Sequence, residues 1–376
     1  MARTETYLDW NATAPLRPEA AAAMAAPLSR YGNPSSVHRW GRVARQIIEH
    51  ARSTVAALLD APPEGVVFVS GGTEANHLAL LGTGRERILI SAIEHDSVRS
   101  ASPEAEQIPV DRDGIIVLDA FDDLLADDPR PALVSVMLAN NETGVVQPVP
   151  AIAALAHSRG ALFHCDAVQA AGKIALDFDA IGADLVTLSA HKLGGPPGVG
   201  ALITRNGLEL APLLRGGGQE GGRRAGTENV AGIAGFAAAA EAAAAEIAVY
   251  DQVRELRDAL ETGVAAVAAE AVFLGGSAPR LPNTAAIAMP GVAAETQVIA
   301  LDLDGVMVSA GAACSSGKVG PSHVLEAMGV GPELASSTIR VSLGWSSTGA
   351  DIDHFLRAWT ALYRRCRGLM LEARAA

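Results

Sequence analysis

Residues 185–198 read LVTLSAHKLGGPPG, and this stretch decides how the rest of the chain is interpreted. Its first four residues are apolar and partly β-branched, which predicts a buried strand. Ser189, His191 and Lys192 follow at once, and the glycines and prolines after them end the regular backbone. A lysine amine at the end of a buried strand can form a Schiff base with a carbonyl compound. The alternative is a surface lysine that opens a glycine loop.

Short apolar runs of the same kind recur through the first two thirds of the chain. They lie at residues 66–69, 87–90, 133–137, 162–165, 185–188 and 200–203. Helical patterns separate several of them, for example at 73–81 and 149–158. This alternation predicts an α/β fold in which helices sandwich a mainly parallel sheet. In such sheets ligands bind beyond the carboxyl ends of the strands.

The last third of the chain predicts a second, smaller unit. A long helical stretch at 228–267 is expected to lead out of the first domain. Strands at 283–289 and 339–343 and helices at 296–303, 321–328 and 351–369 then predict an α+β unit, on which the first residues are expected to pack. We therefore predict a large domain of residues 13–258 and a small domain of residues 1–12 and 259–376.

Composition limits the function classes. The chain has 376 residues, 49% of them hydrophobic, which is enough for two cores. A net charge of −13 argues against nucleic acid and anionic membranes as partners. We expect no signal peptide, and three cysteines without close spacing predict a reducing, cytoplasmic location. Neither CxxC nor HExxH occurs, so no metal site is expected.

A carboxylate ends one of the predicted strands. Asp166 follows the run 162–165, where it could pair with the pyridinium nitrogen of pyridoxal phosphate, whose protonated ring stabilises a carbanion. Gln169, three residues on, could reach the ring hydroxyl. The alternative for Asp166 is the cap of a following helix.

Two further segments suit a flat, phosphorylated cofactor. Residues 70–76 join a strand to a helix through two glycines, so that the helix N-terminus and the Thr73 hydroxyl could hold a phosphate. His95 follows another strand, where its imidazole could stack on a ring or move protons. A plain helix cap and a structural histidine are the respective alternatives.

Two residues of the last third are candidates for the substrate. Cys314 lies in the small-residue loop 310–317, where its thiolate could act as a nucleophile, or where it simply fills space. Arg340 lies within a predicted strand, and its planar guanidinium suits a substrate carboxylate. An internal Asp or Glu is the alternative partner for this arginine.

These pieces, in this order, resemble the cysteine desulfurases of the class V aminotransferase family, enzymes with pyridoxal phosphate fold type I. The resemblance covers nearly the whole chain and is carried by several motifs. They lie at residues 8–15, 32–38, 70–74, 94–95, 140–144, 166–169, 189–192, 216–227, 313–316 and 339–344. The cysteine loop together with Arg340 is the most specific part. Trp10 and Trp345 depart from the family pattern and could reshape the substrate entrance or a partner surface.

The resemblance implies a role for each candidate. Lys192 is expected to carry the cofactor, and Cys314 to accept the sulfur. Asp166, Gln169 and His95 are expected around the cofactor ring, and Asn141 and Arg340 at the substrate carboxylate. The residues expected at the phosphate are Thr73, Ser189, His191 and, from a second subunit of a homodimer, Thr227.

The implied reaction converts L-cysteine to L-alanine and leaves a persulfide on Cys314. The persulfide then passes to an acceptor, expected to be an iron–sulfur scaffold protein. A selenocysteine lyase or a simple class V aminotransferase is an alternative enzyme, of which the aminotransferase does not need Cys314. A catalytically silent protein that keeps the fold for partner contacts is the alternative from another class.

Overall fold

The computed structural model describes residues 5–311 and 322–375, with side chains through residue 368. The strands are β1 Thr6–Tyr7, β2 Val66–Val69, β3 Arg87–Ser91, β4 Glu106–Ile108, β5 Ala132–Met137, β6 Leu162–Asp166, β7 Leu185–Ser189, β8 Gly200–Thr204, β9 Val272–Leu274, β10 Thr284–Ala288, β11 Val306–Met307, β12 Ser309–Ala310 and β13 Thr338–Ser342. The helices are α1 Pro18–Leu28, α2 Arg39–Ala57, α3 Gly72–Gly82, α4 Asp96–Arg99, α5 Leu118–Asp127, α6 Val149–Ser158, α7 Phe178–Ile181, α8 Val230–Ala245, α9 Val249–Val267, α10 Ala294–Leu303, α11 His323–Ala327, α12 Pro332–Ala335 and α13 Gly349–Ala375.

A seven-stranded sheet forms the centre of the first half of the chain. Its strand order is β2-β8-β7-β6-β5-β3-β4. β8 runs antiparallel to β2 and β7, and the other neighbouring strands pair in parallel. The mainly parallel sheet expected from the sequence is therefore confirmed, and the carboxyl ends of β5, β6 and β7 meet at one edge.

Both faces of this sheet are buried, as the unbroken apolar runs predicted. On β2, Val66 and Phe68 belong to one apolar cluster, whereas Val67 and Val69 belong to another. Successive side chains of a strand point to opposite faces, so the two clusters lie on the two sides of the sheet. Helix α3 contributes to the second cluster, and α2, α6 and α8 contribute to the first. The helices therefore sandwich the sheet.

A second sheet, antiparallel and four-stranded, has the order β12-β13-β10-β9. Its core is a separate cluster to which α9, α10 and α13 contribute, with Phe355 and Trp359 fully buried. β1 pairs in parallel with β11, and Leu8 belongs to the same cluster. The N-terminal segment thus packs on the C-terminal part of the chain. The domain boundaries themselves remain a prediction.

The stretch predicted to be helical at 228–267 is helical over most of its length, but it is not continuous. The segment forms α8 and α9, whose axes are bent by 75°. α8 packs against α1 and α2, whereas α9 packs against α13, so each helix buries its apolar side in a different core. Within the described residues no one helix is long and apolar enough to cross a membrane; only the bent pair α8–α9 meets that criterion, by length and composition.

Candidate active site

A cavity of about 340 Å³ opens at the carboxyl ends of the central strands. Nine residues predicted for the site line it: Thr73, His95, Asn141, Asp166, Gln169, Ser189, His191, Lys192 and Arg340. They come from both halves of the chain, since Arg340 lies on β13 and the others end or follow central strands. The fold thus brings together residues that lie far apart in the sequence: Thr73 and Arg340 are 267 positions apart.

Lys192 follows β7 in a single 3-10 turn, Ala190–Lys192. Its Nζ donates hydrogen bonds to the backbone oxygens of Asn11, at 2.6 Å, and Ala12, at 2.8 Å. The amine therefore lies against the N-terminal segment at the wall of the cavity, and it is not the surface lysine of the alternative interpretation.

Asp166 ends β6 and is 5% exposed. Its Oδ2 accepts a hydrogen bond from Asn76 Nδ2 at 2.8 Å, and its Oδ1 accepts one from the backbone N–H of Val168 at 3.0 Å. The next helix, α7, is capped by Asp177 instead. Asp166 is thus a fixed carboxylate facing the cavity rather than a helix cap.

His95 is both a helix cap and a cavity residue. It precedes α4, and its Nδ1 accepts the backbone N–H of Ser97 at 3.1 Å. Burial lowers the pKa of His95, while the nearby Asp166 carboxylate raises it and Lys192 lowers it further. The structural role left open by the sequence is therefore present, and the same ring lines the cavity.

Thr73, Ser189 and His191 line the cavity beside the start of α3. Among the described residues no side chain caps this helix, so its first N–H groups are available to an anion. Thr73 is therefore not the plain cap of the alternative. Burial and then Lys192 lower the pKa of His191 to about 4, which leaves its imidazole neutral at pH 7.

Arg340 is 2% exposed and already has an internal partner. Its Nη2 lies 2.7 Å from Asp9 Oδ1, and its Nη1 donates to the backbone oxygen of Asn141 at 3.0 Å. The internal carboxylate that the sequence left as an alternative is thus observed. The guanidinium still lines the cavity, and its Nε is buried without a partner among the described residues.

Gln169 lies in a buried polar cluster that the sequence did not reveal. Its Nε2 donates to the backbone oxygen of Asn11 at 3.0 Å, and its Oε1 accepts from Lys173 Nζ at 2.9 Å. Burial, followed by repulsion from Lys192, holds the pKa of Lys173 well below its usual value. The sequence predicted no role for Asn11 or Lys173, although Asn11 lies in the motif at residues 8–15 that is similar to the family.

The remaining sequence predictions lie away from the cavity or outside the described residues. Thr227 lines a separate cavity of about 140 Å³ beside Glu220 and Arg224. Cys314 lies outside the described residues. Trp10 packs edge-on against Trp345, with ring centroids 4.6 Å apart, and neither is among the residues that line the main cavity.

Comparison with known proteins identifies the family. The aminotransferase class-V family matches residues 6–355. A cysteine desulfurase of Cereibacter sphaeroides is 44% identical over 381 residues, covering 96% of this chain and 97% of its own. The chain belongs to the cysteine desulfurases of the class V aminotransferase family. Members of this family depend on pyridoxal phosphate, so the cavity residues can now be judged against that cofactor.

Solved structures of similar proteins agree with this assignment. A NifS-like protein from Rickettsia africae superposes with a TM-score of 0.90 at 36% identity, over 96% of this chain and all of its own. A structure of SspA in complex with cysteine superposes with a TM-score of 0.77 at 28% identity. The match covers 90% of this chain and 98% of SspA. The expected pyridoxal phosphate fold type I is thereby confirmed.

Proposed function

We propose that this desulfurase converts L-cysteine to L-alanine and carries the sulfur away as a persulfide on Cys314. The observation that supports it is the cavity in which Lys192, Asp166, His95 and Arg340 meet. Amino-acid chemistry on pyridoxal phosphate uses an amine for the Schiff base and a carboxylate at the ring nitrogen. The imidazole adds a proton carrier, and the guanidinium adds a partner for a substrate carboxylate. Cysteine as the substrate rests on the identity to desulfurases and on the cysteine-bound relative.

The cavity residues fit pyridoxal phosphate. A volume of about 340 Å³ lies within the usual range for a cofactor of this size. Asp166, with both oxygens hydrogen-bonded, would hold the ring nitrogen, and Gln169 the ring oxygen. Thr73, Ser189 and His191 would hold the phosphate at the start of α3. When bound, the cofactor supplies a sink for the electron pair released at the substrate Cα.

Lys192 is the proposed anchor of the cofactor and the proposed base. Its Nζ lies on the cavity wall, where the carbonyl oxygens of Asn11 and Ala12 accept its hydrogen bonds. These two contacts orient the amine and keep it close to the reacting atoms when it is not engaged. A positioned amine can then take the Cα proton of the substrate and return a proton later.

Arg340 and Asn141 are the proposed site for the substrate carboxylate. The guanidinium is buried, so a carboxylate that reaches it interacts across a poorly solvated gap. Asp9 already accepts from Nη2, so the substrate must share or replace this partner. Because Nε, which has no partner among the residues that the structure describes, belongs to the same planar fork, it offers a second donor for a bidentate pair.

The sulfur step balances without an external oxidant. The Cys314 thiolate attacks the substrate sulfur, the bond between the substrate Cβ and its sulfur breaks, and its electron pair stays with the carbon skeleton. Protonation of that skeleton gives alanine, and the enzyme keeps one sulfur atom as a persulfide. A reductant or an acceptor protein, for which we propose an iron–sulfur scaffold, then removes this sulfur. We also propose a cytoplasmic homodimer, in which Thr227 reaches the phosphate site of the second copy.

The test compares two cysteine variants during turnover of L-cysteine with a reductant. Cys314→Ala is expected to keep the coloured, cofactor-bound protein and to lose at least about 100-fold in coupled sulfide and alanine release, because it lacks the nucleophile. Cys366→Ala is the control, since Cys366 packs against the small C-terminal core. Undiminished sulfur release by Cys314→Ala would refute the acceptor role of Cys314. A wild-type protein that stays colourless with added cofactor would favour the alternative of a catalytically silent protein that keeps the fold for partner contacts.

A further inference from the structure

A chain of hydrogen bonds joins His95 to Asp166 through two residues that had no assigned role. His95 Nδ1 lies 2.8 Å from Ser97 Oγ, and Ser97 Oγ lies 2.8 Å from Asn76 Nδ2. The same Asn76 Nδ2 lies 2.8 Å from Asp166 Oδ2. Asn76 is 1% exposed and Ser97 7% exposed, so water competes little for these bonds.

The direction of each hydrogen bond follows from the donors. The Asn76 amide has two hydrogens, and one goes to the Asp166 carboxylate and the other to Ser97 Oγ. The Ser97 hydroxyl therefore accepts from Asn76 and is left to donate its own hydrogen to His95 Nδ1. The backbone N–H of Ser97, which can only donate, points at the same nitrogen from 3.1 Å.

We infer that Asn76 and Ser97 are positioning residues that fix His95 as a neutral imidazole with its proton on Nε2. Nδ1 accepts two hydrogen bonds, so a proton there would break both. Nε2 is then the nitrogen left for the cavity, and it acts there as a donor. The use of Nε2–H as a donor to cofactor or substrate rests on the proposed function. The tautomer of His95 itself does not.

The charges around the ring do not oppose this assignment. Asp166 and Asp96 favour a protonated ring, whereas Lys192 and the burial of the ring favour the neutral form. His323, on α11, is a further titratable neighbour of His95. Burial is the largest of these effects, and it acts in the same direction as the two hydrogen bonds to Nδ1.

The test is a direct reading of the tautomer by NMR of protein labelled with ¹⁵N-histidine, in cofactor-free and cofactor-loaded samples. The His95 signals are assigned by their loss in His95→Asn. Wild type is expected to show an unprotonated Nδ1 and a protonated Nε2. Ser97→Ala loses one of the two bonds that stabilise the neutral ring, so the proton affinity of the ring is expected to rise by about fivefold.

Two matched variants separate this effect from a general loss of structure. Ser97→Thr keeps the hydroxyl and is expected to restore the wild-type titration. Ser100→Ala removes an exposed serine next to the same short helix and is expected to leave it unchanged. A proton on Nδ1 in wild type, or an unchanged titration in Ser97→Ala, would overturn the inference. Absence of turnover in wild type would count against the proposed function alone, because the NMR reading does not depend on activity.

Discussion

Single residues in this protein owe their chemistry to where they are buried, and Glu142 shows this most clearly. The side chain is 4% exposed and accepts a hydrogen bond from Ser322 Oγ at 2.6 Å. Burial raises its pKa to about 7, although the Ser322 bond and Arg340 both lower it. Glu142 therefore exchanges its proton close to neutral pH, unlike an ordinary glutamate.

This shift makes stability depend on pH through one residue. Because the folded protein binds the Glu142 proton more tightly than the unfolded chain, protonation of Glu142 stabilises the fold, and this contribution is complete below about pH 4.5. It is lost as pH rises to about 7. Between pH 5 and pH 8 the free energy of unfolding of wild type should fall by roughly 2–3 kcal/mol more than that of Glu142→Gln, because glutamine cannot ionise. Urea unfolding of cofactor-free protein at both pH values measures this difference.

The exposed Glu295 provides the control for this experiment. Glu295→Gln is expected to follow wild type at both pH values. If Glu142→Gln shows the same pH dependence as wild type, the raised pKa does not contribute to stability and the assignment is wrong.

At the scale of elements, the strand ends were predictable and the partners across the sheet were not. Apolar runs that stop at a polar residue predicted Asp166 and Lys192 at strand ends because burial is a local property of the sequence. The Arg340–Asp9 pair joins residues 331 positions apart, which no local pattern reveals. The break between α8 and α9 was missed because alanine-rich sequence favours helix on both sides, and only packing against two cores separates them.

The loop 216–227 is another element that packing changes. Although the loop is rich in glycine, Glu220 within it is 5% exposed. Both Glu220 oxygens accept from Arg52 of α2, at 2.8 and 2.9 Å, and the backbone N–H of Phe68 on β2 adds a third bond at 2.9 Å. The loop is thus held to α2 by a buried ion pair and to the central sheet by the hydrogen bond from Phe68.

Removing one partner of this pair should be costly. Glu220→Ala leaves the Arg52 guanidinium buried without its main partner, and the free energy of unfolding is expected to fall by about 3–5 kcal/mol. Glu49→Ala is the matched control, because Glu49 also contacts Arg52, at 3.2 Å, but its side chain is 45% exposed. That change should cost less than about 1 kcal/mol. Equal losses in urea unfolding would show that burial of the pair is not the cause.

At the scale of the whole molecule, the site we propose is incomplete within one chain. Thr227 is the one described residue of the predicted set that does not line the main cavity, and it lines a smaller cavity of about 140 Å³ instead. If Thr227 binds the phosphate, we propose that it does so in a second copy. Thr227→Ala should then weaken cofactor binding by about 10–100-fold, the loss expected for one hydrogen bond to a charged group.

The measurement is cofactor binding to the cofactor-free protein, with the mass in solution determined by sedimentation. Thr227→Ala should keep the mass of a dimer while its affinity falls. Thr54→Ala is the control, because the Thr54 hydroxyl bonds to the His50 carbonyl of its own helix, α2. Unchanged affinity of a dimeric Thr227→Ala protein would remove Thr227 from the phosphate site.

A mixed dimer decides whether Thr227 acts on its own chain or on the partner. One copy carries Thr227→Ala and the other carries Lys192→Ala. If Thr227 serves the opposite copy, the chain with an intact Lys192 receives an intact Thr227, so each dimer keeps one site that attaches the cofactor covalently with wild-type affinity. If Thr227 serves its own chain, both sites lack one residue and no such site remains. The measurement is the number of cofactor molecules per mixed dimer that stay covalently attached after reduction of the Schiff base, at low cofactor concentration. One per dimer shows that Thr227 serves the opposite copy, and none shows that it serves its own chain.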